Sequence, residues 1–127
     1  MFSLDDFAKL QFLQGRWKGT AADGKDFFEE YQQPEPGVLQ SHRYPDATFG
    51  QHTDGATISF KDGDVVSQWG ESSWRASEIH ADGATFTPIN APGTFIWRKV
   101  DDTTLEAIQR WNADGREQEH TTRLVRV

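Results

Sequence analysis

The chain contains no cysteine and a single methionine. Without a thiol it has no disulfide framework, no thiolate metal site and no cysteine nucleophile, and its redox compartment is left unmarked. It is also short of positive charge, with 13 Lys and Arg against 20 Asp and Glu and a net charge of −7. Nucleic-acid binding needs a basic surface that displaces counterions from phosphates, and an anionic membrane surface attracts the same kind of basic patch. Both partners are excluded on that ground. No stretch approaches the run of about 18 apolar residues that a membrane helix needs. Residues Met1 to Asp6 lack the basic and apolar regions of a secretory signal. The expectation is a cytoplasmic protein, with a homodimer left open.

What is present is aromatic and turn-rich. In 127 residues there are nine Phe, five Trp and two Tyr. This length is one domain's worth, residues 1–127, and is enough to bury about two thirds of the unfolded surface without a staple. Only the start reads as helix. Ser3 with Asp6 approximates a capping box, Asp5 and Asp6 suit the positive end of the helix dipole, and Leu4, Phe7, Ala8 and Leu10 follow helical spacing. Gly15 can supply a left-handed residue after it. Residues 3–13 are therefore expected to form a short amphipathic helix, with 1–14 as the capping segment.

After Gly15 the punctuation changes. Asp-Gly occurs at 23–24, 54–55, 62–63, 82–83 and 114–115, and between β-type segments this pair is a strong hairpin signal. The intervening runs, 26–31, 38–44, 56–60, 65–69, 74–79, 85–87, 94–98, 103–111 and 117–127, are strand formers. Nine or ten consecutive strands joined by hairpins leave no room for crossover helices. A meander of that length exposes two edges unless it closes on itself. The expected fold is all-β: a closed antiparallel up-and-down barrel of about 9–10 strands with a short N-terminal helix. An interior of that size is wide enough for one small ligand.

The segment Gly15-Arg-Trp17-Lys-Gly19 lies where the helix meets the first strand. Gly15 allows the backbone to reverse, Trp17 can plug the barrel end, and Gly19 permits close strand approach. This Gly-x-Trp after a short helix resembles the calycin superfamily of lipocalins and fatty-acid-binding proteins. With Phe28-Glu29-Glu30-Tyr31 and the stretch from Phe86-Thr-Pro88 to Ala91-Pro92-Gly-Thr-Phe95-Ile-Trp97, the chain more closely resembles bacterial lipocalin-like domains of unassigned function. The resemblance implies a lipocalin-like barrel that binds a small hydrophobic or amphipathic molecule.

Candidate cavity residues follow from strand alternation. Glu29 and Glu30 must point to opposite faces, and either parity is open: Phe28 goes with Glu30, or Phe27 and Tyr31 with Glu29. A carboxylate in an apolar cavity needs a partner or a raised pKa, which is how acid–base groups and ligand anchors are made. His42 alternates with Val38, Gln40 and Tyr44. Arg98, Glu106 and Arg110 form either an interior charge cluster or surface cross-strand pairs. Trp69, Trp74, Trp97 and Trp111 are core or cavity wall. The cavity candidates are thus Glu30, His42, Trp69, Trp97, Arg98, Glu106 and Trp111, with Gly15 and Trp17 as the plug. Catalysis is the alternative, with an inward Glu30 or Glu29 and His42 as acid and base. His42, His52, His80 and His120 show no metal-ligand spacing. A haem alternative comes from resemblance to the nitrobindins, whose proximal His on the last strand is followed by Leu and Arg, as His120 is here by Leu124 and Arg126. No cofactor is otherwise expected, and no serine sits in a nucleophile elbow.

Overall fold

The computed structural model describes residues 1–21 and 23–127. A helical turn α1 (Leu4–Ala8) runs into a 3-10 turn, Lys9–Leu13. Ten strands follow: β1 (Gly15–Thr20), β2 (Asp26–Glu35), β3 (Val38–Tyr44), β4 (Ala56–Lys61), β5 (Asp64–Trp69), β6 (Ser72–His80), β7 (Gly83–Asn90), β8 (Gly93–Asp101), β9 (Thr104–Ala113) and β10 (Arg116–Arg126). Each pairs antiparallel with its predecessor, and β1 pairs with β10 as well as β2, so the sheet closes. Closure satisfies the edge groups that a ten-strand meander would otherwise expose.

The helix starts where its cap predicts. The Ser3 hydroxyl accepts from the Asp6 N–H at 3.1 Å, and the Asp6 carboxylate accepts from the Ser3 N–H at 3.0 Å. The Ser3 N–H also holds the Asp6 carboxyl below its ordinary range. After this short turn, which buries Phe7, the segment tightens to 3-10 geometry and brings Leu10, Phe12 and Leu13 into the core. They seal one end of the barrel together with Trp17, Leu39, Ile58, Val65, Ile79, Leu105 and Leu124. Trp17 is 1% exposed, donates Nε1 to the Leu13 carbonyl at 2.9 Å, and carries the Arg126 guanidinium 4.2 Å above its ring. Gly15 has φ +120°, and a side chain there would run into Arg126.

The Asp-Gly pairs do not all serve as hairpin tips. At 62–63 and 114–115 both residues have positive φ, as a type I′ turn requires. Asp82-Gly83 joins β6 to β7 without positive φ at either residue. Asp54-Gly55 corrects the expectation more strongly, because the β3–β4 connection runs over residues 45–55 and Asp54 forms a single bridge back to Arg43. The Arg43 N–H donates to the Asp54 carbonyl at 2.7 Å. A side chain at Gly55 would collide with the Ser41 carbonyl, so glycine is needed for this close approach rather than for a turn.

Two bulges decide which side chains face inward. Glu35 pairs with Val38 beside the Pro36-Gly37 turn, but a register shift between Gln32 and Glu35 makes the rest of the ladder Gln32 with Gln40, Glu30 with His42 and Glu29 with Arg43. In β6 a shift between Ala76 and Glu78 changes the inward set from Ser72, Trp74 and Ala76 to Ile79. One extra residue in a strand reverses the faces of everything beyond it.

Candidate functional site

The end opposite the helix is open. A cavity of about 500 Å³ enters between the finishes of β1, β3, β5, β7 and β9 and the beginnings of the strands they pair with. Its floor is the sealed core, represented by Tyr31, Trp97, Ala107 and Leu124. Its walls are Phe27, Trp69, Trp74, Phe86 and Phe95. The aromatic rings brace one another edge to face, with Phe95 and Trp97 centroids 5.1 Å apart, Tyr31 and Trp97 6.0 Å, and Trp74 and Phe95 6.3 Å. The Trp74 indole N–H donates to the Gly93 carbonyl at 2.8 Å, which fixes that ring at the mouth.

Polar groups enter this apolar frame on three walls, with Ser67 and Ser72 on β5 and β6. On the β2–β3 wall, Glu29 is 3% exposed and accepts from Arg43 Nη2 at 2.6 Å. The Arg43 guanidinium lies 4.2 Å over Phe27 and 4.8 Å over Trp69, and its Nε is buried without a partner among the described residues. Asp54 reaches the same wall through its bridge to Arg43. On the β9–β10 wall stand Gln109, His120 and Thr122, with His120 Nε2 3.2 Å from the Thr122 hydroxyl.

Burial raises the Glu29 carboxyl, and Arg43 opposes that shift. Burial also raises the Tyr31 phenol, followed by the nearby Glu29 charge. Glu106 moves the other way, lowered first by its hydrogen bonds from Arg98. These signs make a pH prediction. For Glu29 the native state retains a proton that the unfolded state loses near the ordinary value of 4.5, so ionising it costs native stability as pH rises from there through the native value. For Glu106 the favourable ion pairing is present above 4.5 and lost as pH falls through the lowered native value. Urea midpoints between pH 3 and 8 are expected to show wild type losing stability relative to Glu29→Gln as pH rises above about 4.5, and gaining relative to Glu106→Gln as pH rises toward that value. Slopes of the same sign contradict this assignment.

The predicted residues divide by face. Trp69 and Trp97 line the cavity, as does Trp74. Trp111 shares their inward parity but sits beyond the main cavity, in a recess of about 280 Å³ with Trp74, Phe95 and Gln109. Four candidates are corrected, because they lie on the outer wall. Glu30 pairs with Arg16 at 2.9 Å. His42 stacks on His52 of the 45–55 connection, with centroids 4.4 Å apart. Arg98 donates through Nε to Glu106 at 2.8 Å, and Arg123 approaches the other Glu106 oxygen at 3.4 Å, so this cluster is a surface cross-strand network. Arg110 pairs outside with Glu119 at 2.7 Å. The Glu30–His42 acid–base pair is therefore turned away from the cavity, and Glu29 is separated from His42 by the sheet itself.

Sequence reasoning left Glu29 undecided and missed Arg43, Asp54, Phe95 and Gln109. The signal for Arg43 was its place opposite Glu29 across the hairpin, visible only once the bulge is known. Among the described residues, no group of three or more His, Cys, Asp or Glu is arranged to hold a metal ion, and no helix is long and apolar enough to cross a membrane.

No protein-family model and no curated protein matches the chain. Among solved structures it is similar to "Structure of EF1p2_mFAP2b bound to DFHBI", at 16% identity over 94% of this chain and 97% of that chain, with a TM-score of 0.45.

Proposed function

We propose that this protein binds a small apolar or amphipathic molecule in the open end of its barrel. The observation that carries the reading is the cavity of about 500 Å³, walled by aromatic rings and holding one buried ion pair. Ligand sites are typically concave, mostly apolar spaces with a few convergent polar groups. Barrel geometry alone does not assign a function, and a barrel serving only protein association has no need of such a space.

The test uses a neutral aromatic probe, 2-naphthylmethanol, titrated by calorimetry. Saturable one-to-one binding is expected in wild type. Ala107→Trp places a bulky ring in the cavity from β9, and is expected to weaken binding at least tenfold while the urea midpoint shows that the barrel still folds. Absence of saturable binding to wild type by this probe and by its ammonium and carboxylate analogues overturns the proposal, as does equal affinity in the filled variant. Titration with haemin is expected to leave its Soret band unshifted. A new band lost on His120→Ala would instead favour the haem alternative.

A further inference from the structure

We infer that the cavity selects flat aromatic molecules carrying a positive charge, and discriminates against carboxylates. This deepens the reading above and rests on it. The charged side chains facing the space are two carboxylates, Glu29 and Asp54, and one guanidinium, Arg43. That guanidinium is partly committed, because its Nη2 is held by Glu29 and its plane is stacked over Phe27 and Trp69, while its Nε is buried without a partner among the described residues. A ligand carboxylate beside Arg43 lies against the Glu29 and Asp54 carboxylates, and one that drew Arg43 away from Glu29 would leave Glu29 buried and unpaired, a large penalty in a low-dielectric site. A second open valence is an acceptor. Glu29 uses only Oε1 for Arg43, and Oε2 accepts from no protein donor among the described residues, although the side chain is 95% buried.

A ligand ammonium satisfies Oε2 without disturbing Arg43. The remaining walls favour it too, because Trp69, Trp74, Phe95 and Trp97 present aromatic rings whose quadrupoles attract cations, most strongly where water is excluded. The net charge of −7 adds a weaker attraction over the whole surface, screened at physiological salt. Two independent features, the unfilled carboxylate oxygen and the aromatic enclosure, thus ask for the same ligand chemistry.

The experiment compares three probes with one ring system, 2-naphthylmethylammonium, 2-naphthylmethanol and 2-naphthoate, by calorimetry at pH 7.5 in about 0.15 M salt, where surface attraction is screened beyond about 8 Å. The ammonium is expected to bind at least tenfold more tightly than the carboxylate, with the alcohol between them. In Glu29→Gln that spread is expected to fall to threefold or less. Asp54→Asn, an exposed position, is expected to narrow it partially and serves if the buried substitution prevents folding. If the alcohol binds but the ammonium is not preferred to the carboxylate, the charge inference fails and the cavity function stands. If all three probes fail to bind, the cavity function fails and takes this inference with it. A preference that persists unchanged in Ala107→Trp belongs to the outer surface and also overturns the inference.

Discussion

Replacing Trp17 by alanine is expected to lower the unfolding free energy by about 3–5 kcal/mol, the range for large buried aromatics. Three losses coincide at this side chain. The indole is 1% exposed, so its truncation leaves a hole in the sealed end that neighbouring backbone, tied into β2 and β10, cannot collapse to fill. The Leu13 carbonyl loses its Nε1–H donor at the point where the 3-10 turn passes into β1. The Arg126 guanidinium loses the ring beneath it. Trp17→Phe is milder, since it keeps an aromatic ring beneath Arg126 while deleting the indole N–H and the smaller of its two rings. It is expected to lose about 1–2 kcal/mol. Urea unfolding followed by circular dichroism checks both variants, and protease cleavage within residues 1–14 should accelerate in Trp17→Ala as the helix loses its anchor. A midpoint equal to that of wild type would show that Trp17 does not hold the barrel end.

Arg43→Leu is expected to destabilise by about 3 kcal/mol at neutral pH, the lower end for breaking a buried ion pair by removing one partner. Leucine retains apolar contact with Phe27 and Trp69 while leaving Glu29 uncompensated in the wall. Arg43 itself keeps contact with solvent at the mouth, with its side chain 35% exposed, which places the loss at the low end. The effect depends on pH with a definite sign. Without Arg43, the only strong influence lowering the Glu29 carboxyl is gone, and burial and Asp54 both raise it further. Glu29 then takes up a proton in the native state, and the deficit relative to wild type shrinks as pH is lowered toward 5. Denaturant midpoints at pH 7.5 and pH 5 check this, and a deficit that grows on acidification contradicts it.

Much of the architecture was legible because it depends on local chemistry. The capping box at Ser3 and Asp6 specifies a helix start by hydrogen bonds within one turn. Asp-Gly at 62–63 and 114–115 specifies hairpins because both residues accept positive φ. Ten short strands in meander order then have one economical arrangement, a closed sheet. Trp17 was equally readable, since a Trp between a helix and a first strand has few places to go other than the barrel end.

The site was less legible, and the reason lies in parity. Extended regularly from Glu35↔Val38, the β2–β3 hairpin would set Glu30 opposite Arg43 and Glu29 opposite Tyr44. The irregularity between Gln32 and Glu35 moves the ladder by one residue and sets Glu29 opposite Arg43. Pro34, which has no N–H to give a ladder, marks Gln32-Gln33-Pro34-Glu35 as a place for a bulge, but not which face each neighbouring residue takes. The decision is made by packing, because the chosen register turns the half-buried Phe27 and the buried Tyr31 to the interior, while Phe28, pairing with Tyr44, is buried on the outer face against Phe49. That outer aromatic cluster also shows why His42 and Tyr44 misled, since the 45–55 connection covers them and gives an outer face the composition of an inner one.

By itself, then, the sequence determined the kind of object this protein is: an acidic, thiol-free, closed meander with a helix over one end. Those properties follow from composition, turn residues and capping, which act over a few residues. Only the tertiary structure decided that Glu29 rather than Glu30 enters the cavity, that Arg43 meets it there, and that Arg98 and Glu106 remain outside. Those outcomes depend on register, and register is settled by the fit of all ten strands around one core, where a shift of a single residue exchanges inside for outside.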